Sequence, residues 1–355
     1  MSRFLRPAYQ SMKAYVPGEQ PRIANLIKLN TNESPFPPAP EVIEAVNRSE
    51  VERLRLYSDP SLRGLREAIA VRHNLDVVQV TAGNGSDEIL AFAFLAFGAD
   101  GAVFPDITYG FYPVWARLFG METTVVPLAD DFTIDVSDYL ADNRMPVIAN
   151  PNAPTGIALP LEAIERIVRA NPNHVVIVDE AYVEFGAQSA VELIAQYGNL
   201  LVARTFSKSH ALAGARIGYA MGHPALIEDI ERVRNSFHPY NVNRLSLLAG
   251  AAAMRADTYY VDCREKIINT RAYTAAALAE LGFESLPSQA NFLFARHPKI
   301  NGGAYYRALR ERGILVRHFD LPRIKDYNRI TIGTMDDMRA LISATREILE
   351  ADEGR

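Results

Sequence analysis

VVIVDEAY, residues 175–182, runs four β-branched side chains straight into two acids, and LLVARTFSKSHALAGARIGY, residues 200–219, runs an apolar stretch into an arginine and then a lysine. An unbroken apolar run of this length bounded by polar residues reads as a strand buried on both faces. Outward from this pair, similar short runs occur at Val77 to Ala82, Ala102 to Phe104, Thr123 to Val126 and Val147 to Ala149. Stretches with helical spacing lie among them: Val42 to Val46, Leu62 to Val71, Ser86 to Phe97 and Leu161 to Arg169. Strand alternating with helix predicts an α/β chain with a mostly parallel, doubly wound sheet and helices on both faces. After Asn241 the texture becomes Ala-rich and helical from Leu245 to Leu281, then yields strands at Asn291 to Ala295, Ile314 to Val316 and Ile330 to Ile332. That pattern predicts a second, smaller α+β domain. The first thirty residues, rich in Pro, Tyr and Gly, read as an arm, which gives the division 1–30, 31–244 and 245–355.

Composition agrees with two domains. With 355 residues, 48% of them hydrophobic and 22% charged, the chain has the balance of a globular protein and not of a membrane or disordered one. A formal charge of −5 argues against a nucleic-acid partner, which needs concentrated Lys and Arg. One cysteine, Cys263, offers no internal disulfide, and the start at Met1 has no secretory pattern, so the expected location is the cytoplasm. Seven histidines show neither HExxH spacing nor a carboxylate cluster, so no metal site is expected.

In doubly wound sheets ligands bind beyond the carboxyl ends of the strands. Asp179 ends one strand, where an acid serves either as the N-cap of the next helix or as the buried partner of a cation; caps are the commoner use. Lys208 follows another strand. Such a lysine is ordinarily a solvated amine, but Ser207, Ser209, Gly214 and Gly218 around it point to backbone converging on a ligand. An amine that attacks an aldehyde must be neutral, which a confined or cationic setting favours, and Arg216 is near enough in sequence to add charge and bind phosphate. Gly83-Asn84-Gly85-Ser86-Asp87-Glu88 opens a helix. It is either a cradle of backbone N–H groups for an anion or a glycine turn with a Ser or Asp cap.

Taken together, AYVPG (14–18), KLNTNESPF (28–36), GNGSDE (83–88), NPNAPTG (150–156), VDEAYVEF (178–185), RTFSKSHALAGARIGY (204–219), PYNVN (239–243) and RITIGT (329–334) resemble the histidinol-phosphate aminotransferase family, within the fold type I pyridoxal-phosphate enzymes. The resemblance covers nearly the whole chain. It implies pyridoxal 5'-phosphate held by Lys208 as a Schiff base, Asp179 beside the ring nitrogen, Tyr182 at the ring hydroxyl and Tyr109 stacked on the ring. Gly85, Ser86 and Asp87 N–H groups, Ser207 and Arg216 would hold the phosphate, with Tyr57 reaching in from a second subunit of a homodimer. The family's Asn-Pro-Thr-Gly departs here to Ala153-Pro-Thr-Gly. The amide that would reach the ring oxygen is therefore missing: Tyr182 works alone, a neighbour such as Asn152 substitutes, or the proton affinity of the Schiff base differs.

The resemblance further implies a ping-pong transamination between a small-molecule amino donor and a 2-oxo acid, with Arg329 and Arg317 binding the substrate anion and Tyr15 closing over it. The substrate implied first is histidinol phosphate, with 2-oxoglutarate as acceptor. Aromatic aminotransferases and threonine-phosphate decarboxylase share most of these motifs and remain alternatives. Effector-binding regulators of the same fold carry a preceding DNA-binding domain, for which this acidic chain has no room.

Overall fold

The computed structural model describes residues 3–10, 12, 18–21, 25–140 and 143–353. A two-residue strand, β1 (Ile27–Lys28), precedes seven strands that form one sheet: β2 (Val80–Gly83), β3 (Ala102–Pro105), β4 (Thr123–Val126), β5 (Met145–Ala149), β6 (Val176–Asp179), β7 (Leu200–Thr205) and β8 (Gly218–Gly222). Their spatial order is β2-β8-β7-β6-β5-β3-β4. All neighbours are parallel except β8, which runs antiparallel to both β2 and β7. The fold is the mostly parallel α/β arrangement that the alternating pattern predicts.

The continuous apolar runs have a direct cause. Val176 and Val178 of β6 point into one core together with Leu200 and Val202 of β7, whereas Ile177 points into the other with Leu201 and Ala203. With a helical layer over each face the run stays apolar until the strand nears its carboxyl end, and each such apolar side chain contributes roughly 1.5–3 kcal/mol on burial. Register then decides what meets at the sheet edge. Ala149 lies beside Asp179, Asp179 beside Ala203, and Gly218 is opposite both Thr205 and Gly83. The carboxyl ends of four strands and the start of β8 thus converge.

The smaller unit holds β9 (Glu284–Ser285), β10 (Phe292–Arg296), β11 (Ile314–Leu315), β12 (Arg317–His318) and β13 (Tyr327–Thr331). Four of these form an antiparallel sheet, β12-β13-β10-β9, and β11 pairs in parallel with β1. The beginning of the chain is therefore built into its end: Leu29 sits in the core formed by Ile267, Leu278, Leu293, Ile330 and Leu341. The Ala-rich region is two helices, Arg244–Arg255 and Asp257–Glu280. The first packs on Pro40–Ala45 and Arg63–His73, with Gly250 so close that an added Cβ would stand 2.9 Å from Leu65 and 3.0 Å from Ile217. Its small residues serve contact with the large sheet's helices, while the second helix passes from Tyr260 in the large core to Ile267 and Leu278 in the small one. Among the described residues no helix is long and apolar enough to cross a membrane.

Candidate functional site

A cavity of about 370 Å³ opens at the converging strand ends, lined among others by Thr31, Glu33, Tyr109, Tyr182, Ser207 and Lys208. Lys208 lies three residues past β7. Its Nζ donates to the carbonyl of Thr31 at 3.0 Å. Burial, joined by the charges of Arg329 and Arg216 and opposed by Glu33 and Asp87, lowers the amine to about 8. It is an enclosed amine, not a solvated one, and a fraction of it is neutral at moderate pH.

Asp179 closes β6 and also lines the cavity. It caps no helix; its Oδ1 accepts from Ala181 N at 3.2 Å and its Oδ2 from the hydroxyl of Tyr112 at 2.8 Å. Burial raises its carboxyl to about 6, against the pull of those two donors and with Asp87 and Glu180 adding to the rise. Such a group is short of a cation. The next acid, Glu180, has one, since Arg204 reaches it from β7 at 2.9 Å with Ser189 closing the cluster. Of the two uses open to an acid at this strand end, the helix cap is taken by neither neighbour: Glu180 is the buried partner of the protein's own cation and Asp179 faces the cavity.

The Gly83–Glu88 loop opens the helix Ser86–Phe97 with Gly85 at φ +83° and no side-chain cap. The Ser or Asp cap of an ordinary glycine turn is thus not what forms, and the first turn presents its N–H groups and its positive dipole end. Gly85 itself departs from the expectation, because its N–H donates to Gly83 O at 2.9 Å and is spent within the loop. Glycine is required at two places. A Cβ on Gly218 would collide with the backbone of Gly85 and Ser86, and one on Gly85 would stand 2.6 Å from Arg216 Nη2. Arg216 donates to Asp87 Oδ2 at 3.0 Å and lies 3.5 Å from Ser207 Oγ, while Asp87 Oδ1 accepts from the Tyr109 hydroxyl at 2.7 Å. Asp87 thereby ties together two residues assigned to phosphate and ring.

Tyr182 stands edge-on to Phe292 at 5.1 Å, and its hydroxyl accepts from Asn32 Nδ2 at 2.9 Å. Asn152 cannot replace the missing amide at position 153. Its two N–H protons go to Ile107 O at 2.9 Å and Thr155 Oγ1 at 3.1 Å, and its oxygen accepts from Thr108 Oγ1 at 2.8 Å. That one of the three alternatives is removed by simple accounting: the side chain is buried and both of its N–H protons are used. Ala153 presents only a methyl group, packed with Ala290, Phe292 and Tyr182.

Arg317 and Arg329 face each other across β12 and β13. Arg329 donates to Asn30 O at 2.9 Å and its guanidinium lies over Phe292 and Phe319 at 5.5 and 5.7 Å; Arg317 lies over Phe319 at 5.5 Å. Tyr57 is away from the cavity, 81% exposed and stacked on Tyr240 at 4.6 Å. Tyr15 lies outside the described residues. Tyr112, Asn32 and Thr31 join the site without being singled out by the sequence. Tyr112 sits in the same TYGFY stretch as Tyr109, and Asn32 inside KLNTNESPF, a motif of the resemblance that attaches no role to Asn32 itself. Among the described residues no group of three or more His, Cys, Asp or Glu is arranged to hold a metal ion.

The arrangement offers a nucleophilic amine, an acid lacking a cation, and an anion cradle at one cavity. Comparison with known proteins agrees with that chemistry. A histidinol-phosphate aminotransferase 2 of Dechloromonas aromatica is 52% identical over 354 residues, covering 98% of this chain and 99% of the relative. A histidinol-phosphate aminotransferase of Marinomonas sp. is 52% identical over 353 residues, covering 98% of this chain and 100% of the relative. Among solved structures, the histidinol-phosphate aminotransferase of Sinorhizobium meliloti in complex with pyridoxal-5'-phosphate superposes with a TM-score of 0.86 at 27% identity, covering 98% of this chain and 99% of that one. The family model for aminotransferase class I and II matches residues 24–344, and the chain belongs to that family.

Proposed function

We propose that this enzyme transfers the amino group of histidinol phosphate to 2-oxoglutarate, giving imidazole acetol phosphate and glutamate, with pyridoxal 5'-phosphate as cofactor. One observation carries the reading: the Lys208 amine, lowered to about 8, opens into a cavity that also holds an uncapped helix N-terminus beside Arg216. The residues fit the cofactor. The first turn of the uncapped helix, at Ser86 and Asp87, lines the cavity, and Asp179 is a buried acid awaiting a positive partner. Full-length relatives at 52% identity that are histidinol-phosphate aminotransferases support the substrate.

When bound, pyridoxal phosphate supplies the carbonyl carbon that takes the amino group and a ring that draws off the electron pair left by the departing α-proton. Lys208 would hold it and would then move that proton, a task matched to an amine whose affinity lies near the working pH. Asp179 would favour the protonated ring nitrogen and be kept ionised by it, with Tyr112 fixing the carboxylate's orientation. Ser86 and Asp87 N–H groups, Ser207 and Arg216 would bind the phosphate, Tyr109 would stack on the ring and Tyr182 would donate to the ring oxygen. Arg329 and Arg317 suit both halves of the reaction, because a guanidinium fork pairs with carboxylate and phosphate alike. Tyr15 would close over that end.

The exposed Tyr57 is the motive for a homodimer in which it completes the partner's phosphate site. Cell fractionation tests the cytoplasmic location we assign. The substrate is tested by comparing kcat/KM for histidinol phosphate, phenylalanine and threonine phosphate; a wide preference for either of the last two overturns the choice. Lys208→Ala should lose both transamination and the visible absorbance of protein-bound cofactor.

A further inference from the structure

Three successive carbonyls of the segment 30–32 each receive a side chain from elsewhere in the chain. Asn30 O accepts from Arg329 Nη2 at 2.9 Å, Thr31 O from Lys208 Nζ at 3.0 Å and Asn32 O from Asn291 Nδ2 at 3.0 Å. Within this clamp Asn32 is 1% exposed and has φ +55°, a left-handed conformation that Asn tolerates better than other residues with a Cβ. Its amide orientation follows from proton accounting. The Thr331 hydroxyl accepts the Asn32 backbone N–H at 3.0 Å and gives its own proton to Asn32 Oδ1 at 3.0 Å. Turning the amide over would strand the Thr331 proton in a buried site, so Nδ2 is the end that meets Tyr182. The Tyr182 oxygen is then an acceptor toward Asn32, and its proton is directed elsewhere. Phe292 and the Ala153 methyl give it no acceptor, and the cavity is the remaining side.

We propose that Asn32 is a positioning residue: its side-chain amide, locked by Thr331, commits the Tyr182 hydroxyl to donate into the cavity, toward the ring oxygen of the cofactor. This rests on the reading of Lys208 and Tyr182 given above. It also assigns a source of order at a position where Ala153 contributes no polar group. A donor at the ring oxygen favours the ionised, proton-free state there, so losing it makes the site hold its proton more tightly and moves the titration upward in pH.

Two variants separate positioning from architecture. Asn32→Gly accepts the left-handed backbone at no cost and removes the amide. Asn32→Asp keeps the oxygen that Thr331 needs but presents an acceptor to Tyr182, which reverses the direction of that hydrogen bond. In both, the pH midpoint of the visible absorbance of the holoenzyme should rise by about one unit, a tenfold change in proton affinity. In a Tyr182→Phe background Asn32→Gly should not move the midpoint further, and Asn32→Asp should move it less than it does with the hydroxyl present, the remainder being the through-space effect of the added carboxylate. An unchanged midpoint in Asn32→Asp, or a shift as large without the Tyr182 hydroxyl as with it, overturns the proposal. Should Asn32→Gly fail to fold, Asn32→Asp decides alone. Failure of the underlying cofactor assignment is distinguishable, since Lys208→Ala would then keep the visible band.

Discussion

Replacing Asp179 by Asn should stabilise the cofactor-free protein while disabling it. The carboxyl is buried and raised from its ordinary 3.8 to about 6. Each pH unit corresponds to about 1.4 kcal/mol, so holding this group ionised at neutral pH costs the fold about 3 kcal/mol. Asparagine is close in shape and carries no charge, but it weakens the hydrogen bond from Tyr112, a loss of about 1 kcal/mol. A net gain of about 2 kcal/mol is expected at about pH 7.5. The sign of its pH dependence is fixed by the raised value. Between about pH 4 and 6 the folded state binds a proton that the unfolded chain does not, so the wild-type carboxyl loses stability as pH rises through that window. The gain from Asp179→Asn should therefore be absent near pH 4 and complete above about 6.5. Trp115, the single tryptophan, is buried in the same core as Ile177 and Tyr112, so guanidinium unfolding of apoprotein followed by its fluorescence reads the relevant unit. With cofactor the order should invert, since the variant lacks the charge that the ring nitrogen would meet. An apoprotein variant no more stable than wild type at about pH 7.5, or equally stabilised at about pH 4.5 and 7.5, would refute the reasoning.

Gly218→Ala places a methyl group into the backbone of Gly85 and Ser86, so the loop we propose as the phosphate cradle must shift; cofactor affinity should fall at least tenfold, measured by equilibrium dialysis, while wild-type affinity would contradict that role. Arg204→Leu leaves Glu180 charged in a buried site and should cost about 3–5 kcal/mol, part of which Glu180→Gln restores in the double variant; a loss below about 1 kcal/mol in chemical denaturation would show the pair to be dispensable. Tyr57→Ala should raise the cofactor dissociation constant without unfolding the chain, because that ring is 81% exposed here; unchanged affinity removes it from the partner's site.

Sequence makes the sheet legible wherever two covered faces leave no room for a polar residue, as in β5, β6 and β7. β8 carries no such signature: Gly218-Tyr-Ala-Met-Gly222 has two glycines and no β-branched side chain, because close contact with the cradle outranks strand propensity there. The strand expected at 314–316 is β11, and β12 follows it directly at 317–318 in a separate sheet, a switch that no local pattern announces. Asp179 is legible because it ends a strand and Lys208 because it closely follows one at the same sheet edge, and Arg216 because it lies close past Lys208 in sequence. Asn32 and Tyr112 are not. Their importance lies in which hydroxyl or carboxylate they orient, a relation that spans 150 residues for Asn32 and 67 for Tyr112.

The clamp on residues 30–32 has a consequence for how the protein is made. All seven strands of the large sheet have been synthesised by Gly222, yet Asn30 and Asn32 wait for Arg329 and Thr331, 299 residues further on. A chain emerging from the ribosome can therefore assemble its sheet and strand ends long before the arm has anything to close on. Completion of the site is a late event gated by the last strand, and a chain truncated before Tyr327 would retain the sheet while leaving Tyr182 without its fixed partner.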